Sequence, residues 1–365
     1  MLPFKNTIYA ALQAADLDAV MQCEYPEAWD QVWQSLPYQS VAYSASMIEY
    51  QQAYFRDAGW TLHDTNLVLR IDGRPCALWP LTIGGPAGSP RITSAGAAVF
   101  APVFAPGLSP RIVKKICARA IAFLRLLCAE QGLAEPVLEQ GPALGLVTEG
   151  ASEWHQQLLA AGATVVLRHD LYADLRPELP DIRASFRKSF RPLINVGLRN
   201  WSVFVLNQSN ASETVWAEFK QLHRDVSGRI TRSDHTWARQ YMMLGTGEAF
   251  LVGLRDPTDQ RLVGAGFFQY TRDEGLYAVG AYDRSLFDKP LGHVVQQRAI
   301  EMMKTRGLRW YCIGQRHYQQ DQPTPTDKQV SISAFKQGFA SNLFSRYEFR
   351  LPVANCDAIT AAGQV

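Results

Sequence analysis

The stretch AFLVGLRDPTDQRLVGAGFFQYTRDEGLYAVGAYDRSLFDKPLGHVVQQRAIEMMKTRGLRWYCI, residues 249–313, decides the fold. Its apolar run from Ala249 to Leu254, a turn from Asp256 to Gln260 and a second run from Leu262 to Tyr270 predict a β-hairpin. Gly275 to Tyr282 predicts a third strand. Pro290 opens a helix that runs to about Arg306 and is closed by Gly307, and Trp310 to Ile313 predicts the strand after it. A hairpin, a strand, a helix and a strand in that order describe one α/β unit.

Reading outward, the same order occurs earlier in the chain. Leu67 to Ile71, the turn Asp72-Gly73 and a return strand from Cys76 to Leu81 form a hairpin signature. After an apolar stretch, Ile92 to Phe104, and the breaker Pro106-Gly107, Ser109 and Pro110 suit the N-cap and first position of a helix from Arg111 to about Gln131. Gly132 closes it, and Pro136 to Glu139 predicts a short strand. Tyr25 to Trp60 reads as a layer of short helices. Further helices are predicted at Trp154 to Ala161, Trp216 to Asp225 and Thr236 to Leu244, with a strand at Thr164 to Leu171. Residue identity between the halves is poor, so the repeat is one of pattern.

The chain has 365 residues, which asks for two cores at roughly 100 to 200 residues per domain. The expected division is 1–175, 176–352 and a tail, 353–365. With 36 Lys+Arg against 34 Asp+Glu and 47% hydrophobic residues, a disordered chain and a supercharged nucleic-acid binder are excluded, no DNA partner is expected, any anion site is local, and a bulk tRNA partner is weakened without being excluded. The cysteines, Cys23, Cys76, Cys117, Cys128, Cys312 and Cys356, include no C-x-x-C pair, so neither a zinc site nor a disulfide framework is expected. The N-terminal stretch from Ile8 to Val20 is broken by Gln13, Asp16 and Asp18, and no membrane span or signal peptide is read. The expectation is a cytoplasmic protein. The oligomeric state is not legible.

Residues 183–199 carry Arg183, Arg187, Lys188, Arg191 and Arg199 and no carboxylate. Arg187, Lys188 and Arg191 at helical spacing would present cations on one face, either to phosphates or merely to solvent. After this segment come His223 with Ser227-Gly228-Arg229-Ile230-Thr231-Arg232, then Tyr277 to Tyr282, then Lys289-Pro290-Leu291-Gly292-His293, then Ser333-Ala334-Phe335-Lys336-Gln337-Gly338-Phe339. In this order they resemble the FemAB-like branch of the GNAT acyltransferase superfamily. The likeness is specific from about Arg183 to Phe339 and architectural before that.

The resemblance implies an α/β fold with mixed sheets, two tandem GNAT-like domains sharing a cleft, transfer of an acyl or aminoacyl group to an amine, and no metal. In Fem-type enzymes a phenylalanine-lysine step near the end of the second unit is associated with carbonyl and charge stabilisation; Phe335 and Lys336 match it. By the same likeness Arg191 is the candidate for holding acceptor phosphates. Acetyl-CoA-binding GNAT proteins carry a glycine-rich pyrophosphate loop before the central helix. The equivalent place here, Ser285 to His293, has the single glycine Gly292. No tightly bound cofactor is expected, and the donor stays open between acyl-CoA, aminoacyl-tRNA and another acyl carrier.

The residues themselves offer candidates for each part of such chemistry. Lys336 is a fixed charge suited to a tetrahedral oxyanion, unless it is simply a surface lysine. His293 falls in the first turn of a helix, where the dipole lowers an imidazole's pKa and leaves it a neutral base or a donor. Asp283, after the strand end, is a second proton acceptor. His223, Arg229, Arg232 and Lys289 are candidates for orienting an anionic substrate. Tyr277 and Tyr282, an odd spacing apart, would face opposite ways on a regular strand unless a bulge at Gly280 restores phase. Gln315 follows a strand end, where ligands are commonly met in α/β sheets.

The expected function is an N-acyltransferase acting on an amine of a cell-envelope precursor, such as a nucleotide-linked amino sugar or a peptide-bearing precursor, as in polysaccharide biosynthesis. O-acylation of a sugar hydroxyl and a catalytically silent glycan- or partner-binding module are the alternatives.

Overall fold

The computed structural model describes residues 4–142, 144 and 151–353. Apart from its first residue, the tail expected over 353–365 lies outside the described residues. Two compact units emerge. One comprises the described parts of Met1–Tyr38, Gln51–Leu167 and Arg346–Val365; the other comprises Gln39–Tyr50 and Arg168–Ser345. Both are discontinuous in sequence, which a division into consecutive blocks does not capture. Chain continuity is a poor guide where a strand leaves one unit to finish the sheet of the other.

In the first unit, β1 (Leu67–Ile71) and β2 (Arg74–Trp79) form the expected hairpin. Its turn residues Asp72 and Gly73 both take positive φ, 49° and 74°, as a turn matched to strand twist requires. The helix α1 (Pro110–Gln131) begins and ends where the sequence places it. The Ser109 side chain accepts from the Ile112 N–H, Pro110 stands in the first turn, and Gly132 terminates the helix in the left-handed region. Ile116, Cys117, Ala120, Phe123, Leu124 and Leu127 form its buried stripe, packed with Trp79 and Trp154. The strand after it, β3 (Val137–Gln140), pairs in parallel with Val99–Phe100 and antiparallel with residues 347–350.

The second unit repeats that design at larger scale. It contains the second part of β4 (Thr164–Asp174), α2 (Leu179–Ser185), α3 (Phe190–Asn200), β5 (Ser202–Leu206), α4 (Glu213–Ser227) and α5 (Asp234–Gly245). These are followed by β6 (Ala249–Arg255), β7 (Leu262–Tyr270), β8 (Glu274–Tyr282), α6 (Gly292–Thr305), β9 (Trp310–Arg316), α7 (Asp327–Gln337) and the start of β10 (Asn342–Arg350). The strand order is β5-β6-β7-β8-β9-β4. Neighbours are antiparallel except β8 and β9, which run parallel. In both units, then, a strand that precedes the long helix forms a short parallel pair with the strand after it, and the latter's other neighbour is antiparallel; in the first unit a further short strand, Val103–Phe104, stands between the paired strand and the helix.

The central strands β6 and β7 are buried almost throughout, because helices cover both faces. On one face Phe250 and Phe268 pack with Val294, Val295 and Ile300 of α6. On the other, Leu251 and Phe267 pack with Trp216, Phe219 and Trp237. Val41, Met47 and Tyr50 join this second cluster, which is why residues 39–50 belong to the second unit. Their backbone is held by buried carboxylates: the Gln39 N–H donates to Asp273 at 2.9 Å and the Val41 N–H to Glu274 at 3.0 Å.

The basic segment departs from expectation. It is two helices, α2 and α3, interrupted between Phe186 and Ser189. Phe186 and Phe190 are both buried, and seating them breaks the helix, so Arg187 and Lys188 lie in the break and do not share a helical face with Arg191. The strands β5 and β10 and the helix α7 are additional to the elements read from sequence.

Candidate functional site

In the second unit, β8 and β9 pair for three residues only, Glu274 with Trp310, Gly275 with Tyr311 and Leu276 with Cys312, and then part. At the point of parting β8 carries a bulge: Phe267 faces Val279 across the ladder, while Phe268 faces Tyr277, leaving Ala278 as the extra residue. The bulge sits at Ala278, two residues before the glycine from which it was expected, and it has the expected effect. Tyr277 and Tyr282 come onto one side, their hydroxyls 2.9 Å apart. Gly280 lies between them, and a β-carbon there would collide with the Tyr277 hydroxyl. Burial pushes Tyr277 up to about 12 and raises Tyr282 well above its ordinary value, so both remain protonated donors at neutral pH.

Lys336 stands in the last turn of α7, with its Nζ 5.0 Å from the centre of the Tyr277 ring. It also reaches Gly314 of β9, where an added β-carbon would lie 2.9 Å from Nζ and where φ is +124°; glycine satisfies both conditions. Lys336 has no carboxylate partner among the described residues. Burial lowers its pKa, and the nearby Cys312, which acts in the opposite direction, is itself held neutral by burial. An ammonium so placed lacks a counter-ion, and an anion arriving beside it would supply one.

Phe335 and His293 adjoin this group. The His293 ring stands edge-on to Phe190 and Phe335, at 4.6 Å and 5.0 Å between centres. A β-carbon on Gly292 would lie 3.1 Å from Phe335 and 3.7 Å from Tyr282, so these two side chains flank one point at the start of α6. Burial pushes His293 down to about 4. The histidine is neutral as expected, but its aromatic surroundings account for this, with no contribution from the helix terminus required.

The structure therefore brings together Lys336, Phe335, His293, Tyr277 and Tyr282. Two residues that sequence reasoning missed belong with them. Tyr311 donates to Gln296 Oε1 at 2.5 Å, and the almost fully buried Gln296 side chain also bears on the Tyr277 hydroxyl, where it acts against the effect of burial. The available signal was a pair of amides, Gln296 and Gln297, on the core-facing side of a helix.

The other candidates occupy different settings. Asp283 caps the turn after β8, accepting from the Ser285 N–H at 2.9 Å and Oγ at 2.6 Å and pairing with Arg261 at 2.6 Å. Those contacts lower its pKa and make it a weak base. Arg232 donates to the Tyr50 hydroxyl at 2.9 Å, lies 3.3 Å from His223 Nε2 and sits 5.3 Å over Trp237. Burial, and then Arg232, push His223 down to about 4. This is a second cluster, with the exposed Arg229 beside it in the loop after α4. Arg191 donates to the Ala184 carbonyl at 2.6 Å, closing the end of α2. Lys289 lies 5.5 Å over the Trp201 ring. Gln315 is not in a loop: β9 continues to Arg316, and Gln315 pairs with Asp170 of β4. Among the described residues, no group of three His, Cys, Asp or Glu side chains is placed to hold a metal ion. No helix among them is long and apolar enough to cross a membrane.

A long helix between two briefly paired parallel strands, present in both units, is the arrangement of a FemAB-like, tandem GNAT fold. Solved structures bear this out. FemX matches with a TM-score of 0.64 at 12% identity, over 89% of this chain and 95% of that one. The C-terminal domain of a putative lysylphosphatidylglycerol synthetase from Agrobacterium fabrum matches with 0.55 at 14% identity, over 92% and 93%. A tandem GNAT protein from the clavulanic acid biosynthesis pathway matches with 0.50 at 15% identity, over 91% and 97%. No protein-family model and no curated protein matches the sequence.

Proposed function

We propose that the chain is an N-acyltransferase that moves an acyl or aminoacyl group onto an amine of a cell-envelope precursor. The observation that carries this reading is Lys336: a cation without a carboxylate partner, at the place where β8 and β9 part, beside a pair of protonated tyrosines. In the proposed reaction the neutral amine attacks the donor carbonyl, an N–C bond forms, and the carbonyl pair moves onto oxygen, where Lys336 stabilises it. Collapse expels the donor's oxygen or sulfur, which takes up the proton that the amine sheds, and no covalent enzyme species forms.

The protonation states favour an amine over a hydroxyl acceptor. A hydroxyl must lose its proton during attack and needs a competent base. His293, at about 4, and Asp283, held low by Arg261 and Ser285, are both poor ones. The fold relationship to FemX and to a putative lysylphosphatidylglycerol synthetase domain supports an aminoacyl donor and an envelope setting, at the level of analogy. Acyl-CoA remains the other donor class.

The test is to incubate the purified protein with acyl-CoAs or charged tRNAs and a panel of amine acceptors, nucleotide amino sugars among them, and to follow acceptor mass. The expected result is a gain of one acyl group that falls about 100-fold or more in Lys336→Ala, as loss of an oxyanion donor does. Failure of both donor classes across the panel, or turnover indifferent to Lys336→Ala, overturns the reading.

A further inference from the structure

Tyr277, beside Lys336, belongs to a cluster of three phenols and one buried amide. Gln296 stands on the core-facing side of α6 among Val294, Val295, Ala299 and Ile300, and is buried as deeply as they are. An apolar side chain of the same length would fill that place without the cost of burying an amide. The phenols account for its presence. Fully buried Tyr311 donates to Gln296 Oε1, and Tyr311 lies opposite Gly275, the residue two before Tyr277 in β8. The rings of Tyr277 and Tyr311 both pack on Phe268, at 5.2 Å and 6.1 Å between centres. One amide thus serves two phenols.

A count of protons gives the direction of these contacts. Each phenol has one proton to donate and an oxygen that accepts twice. The Tyr311 proton is spent on Gln296 Oε1, which leaves the N–H edge of the amide for Tyr277. Against burial, the dominant influence, Tyr282 and Gln296 each lower the Tyr277 pKa, as donors to its oxygen do. Burial raises Tyr282, and Tyr277 raises it further, as a group that accepts its proton does. The Tyr282 proton is therefore spent on Tyr277, and of the three hydroxyls Tyr277 alone keeps its own. That hydroxyl lies over Gly280, which is exposed, so the remaining proton has an open side on which a reacting group can approach.

We infer that Gln296 is a positioning residue for acyl transfer: it commits the hydroxyls around Tyr277 so that Tyr277 keeps a proton for the atom that leaves the donor. The inference rests on the acyl-transfer reading for its chemistry. As the tetrahedral intermediate collapses, the bond from the carbonyl carbon to the donor's oxygen or sulfur breaks, and its electron pair stays on that atom. The atom takes the Tyr277 proton and departs as a neutral alcohol or thiol. The nitrogen that attacked, protonated until then, returns one proton to the phenolate, so Tyr277 begins and ends neutral. Lys336 keeps its charge throughout and faces the oxyanion.

The experiment compares variants of the full chain on the donor and acceptor that the transfer assay yields, with circular dichroism as the control for folding. Tyr277→Phe should lower kcat about 100-fold and Gln296→Met about tenfold, with KM within about twofold of wild type, as loss of a general acid and of its support do. Tyr282→Phe should cost less than Tyr277→Phe. Gln296→Glu separates positioning from packing. Protonated, its carboxyl accepts from Tyr311 and donates to Tyr277 as the amide does; ionised, it only accepts and draws the Tyr277 proton inward. Its kcat should therefore approach wild type in acid and fall about tenfold as pH rises through one ionisation that wild type lacks. A flat profile, or a greater loss in Tyr282→Phe than in Tyr277→Phe, overturns the inference.

A second measurement needs no turnover. Difluorotyrosine placed at position 277 is acidic enough to titrate by absorbance while the protein is folded, and Gln296→Met should raise its pKa by about 1, the effect of losing one donor. Wild-type turnover with an unchanged difluorotyrosine pKa overturns this inference alone. Absence of turnover with the expected rise overturns the acyl-transfer reading and leaves Gln296 holding Tyr277.

Discussion

The hydroxyl of Tyr277 lies 2.9 Å from that of Tyr282, five positions along the same strand. On a regular strand they would face opposite sides, and the extra residue at Ala278 removes that phase difference. Gly280 makes the room. Gly280→Ala should therefore destabilise the protein by about 1 to 3 kcal/mol through overpacking. Combining it with Tyr277→Phe, which deletes the obstructing hydroxyl, should cost less than the sum of the single changes. Urea-unfolding midpoints measure the cycle; strict additivity would show that the hydroxyl does not lie over Gly280.

Lys336→Met should abolish transfer while raising stability. The folded state disfavours the ammonium, so Lys336 binds its proton more weakly folded than unfolded. That penalty is present in full below the lowered folded-state pKa and is relieved as pH rises from there towards the unfolded lysine value near 10.4. The stability gap between variant and wild type should accordingly narrow in alkaline buffer. A gap that is constant with pH, or a less stable variant, would count against an uncompensated charge.

Acid should expose the two buried imidazoles. His293 and His223 are both pushed down from 6.5 to about 4, chiefly by burial. Between those values the unfolded chain binds protons that the folded protein does not, so stability falls as pH falls through that window and is unaffected by these groups above it. Each contributes a slope of at most about 1.4 kcal/mol per pH unit. His293→Phe, which keeps an aromatic ring against Phe190 and Phe335, should flatten the profile by one proton; guanidinium melts across the window would reveal an unchanged slope if it does not.

Phe349 is fully buried in the first unit and lies opposite Leu138 in the β3 ladder. Phe349→Ala should cost about 3 to 5 kcal/mol there. Hydrogen exchange should then rise along β3 and α1, while β6 and β7 keep their protection. Uniform loss of protection throughout the chain would contradict two separately cored units.

The elements with local punctuation were legible. Ser109-Pro110 with Gly132, and Asp72-Gly73, each carry their own start, stop or turn chemistry, and the structure places them where the residues indicate. β5 is a short apolar run, Val203 to Leu206, with no turn signal in front of it, only the end of α3. α7 has a capping box at Thr326 and Gln329 but a weak apolar stripe, with Ser333 as its one fully buried residue. Of the candidate site, the identities of Lys336, Phe335 and His293 could be read, but not their company. That depends on where a bulge falls in β8, which the partner strand β7 decides, and on a buried amide, Gln296, whose partner Tyr311 is far off in sequence. The basic run was visible as composition; the break in it depends on Phe186 and Phe190 both seeking the core.

The late strand β10 also affects how the chain is made. The first unit's hairpin and long helix leave the ribosome early, yet β3 keeps one edge unpaired until residues 347–350 have been translated. The second unit, most of it contiguous from Arg168 to Ser345, is synthesised in between and can close first. The half begun first is thus completed last. During that interval a nascent chain carries an open strand edge lined by Leu138, the kind of surface that holdase chaperones shield and that stalled or truncated products would leave exposed to aggregation.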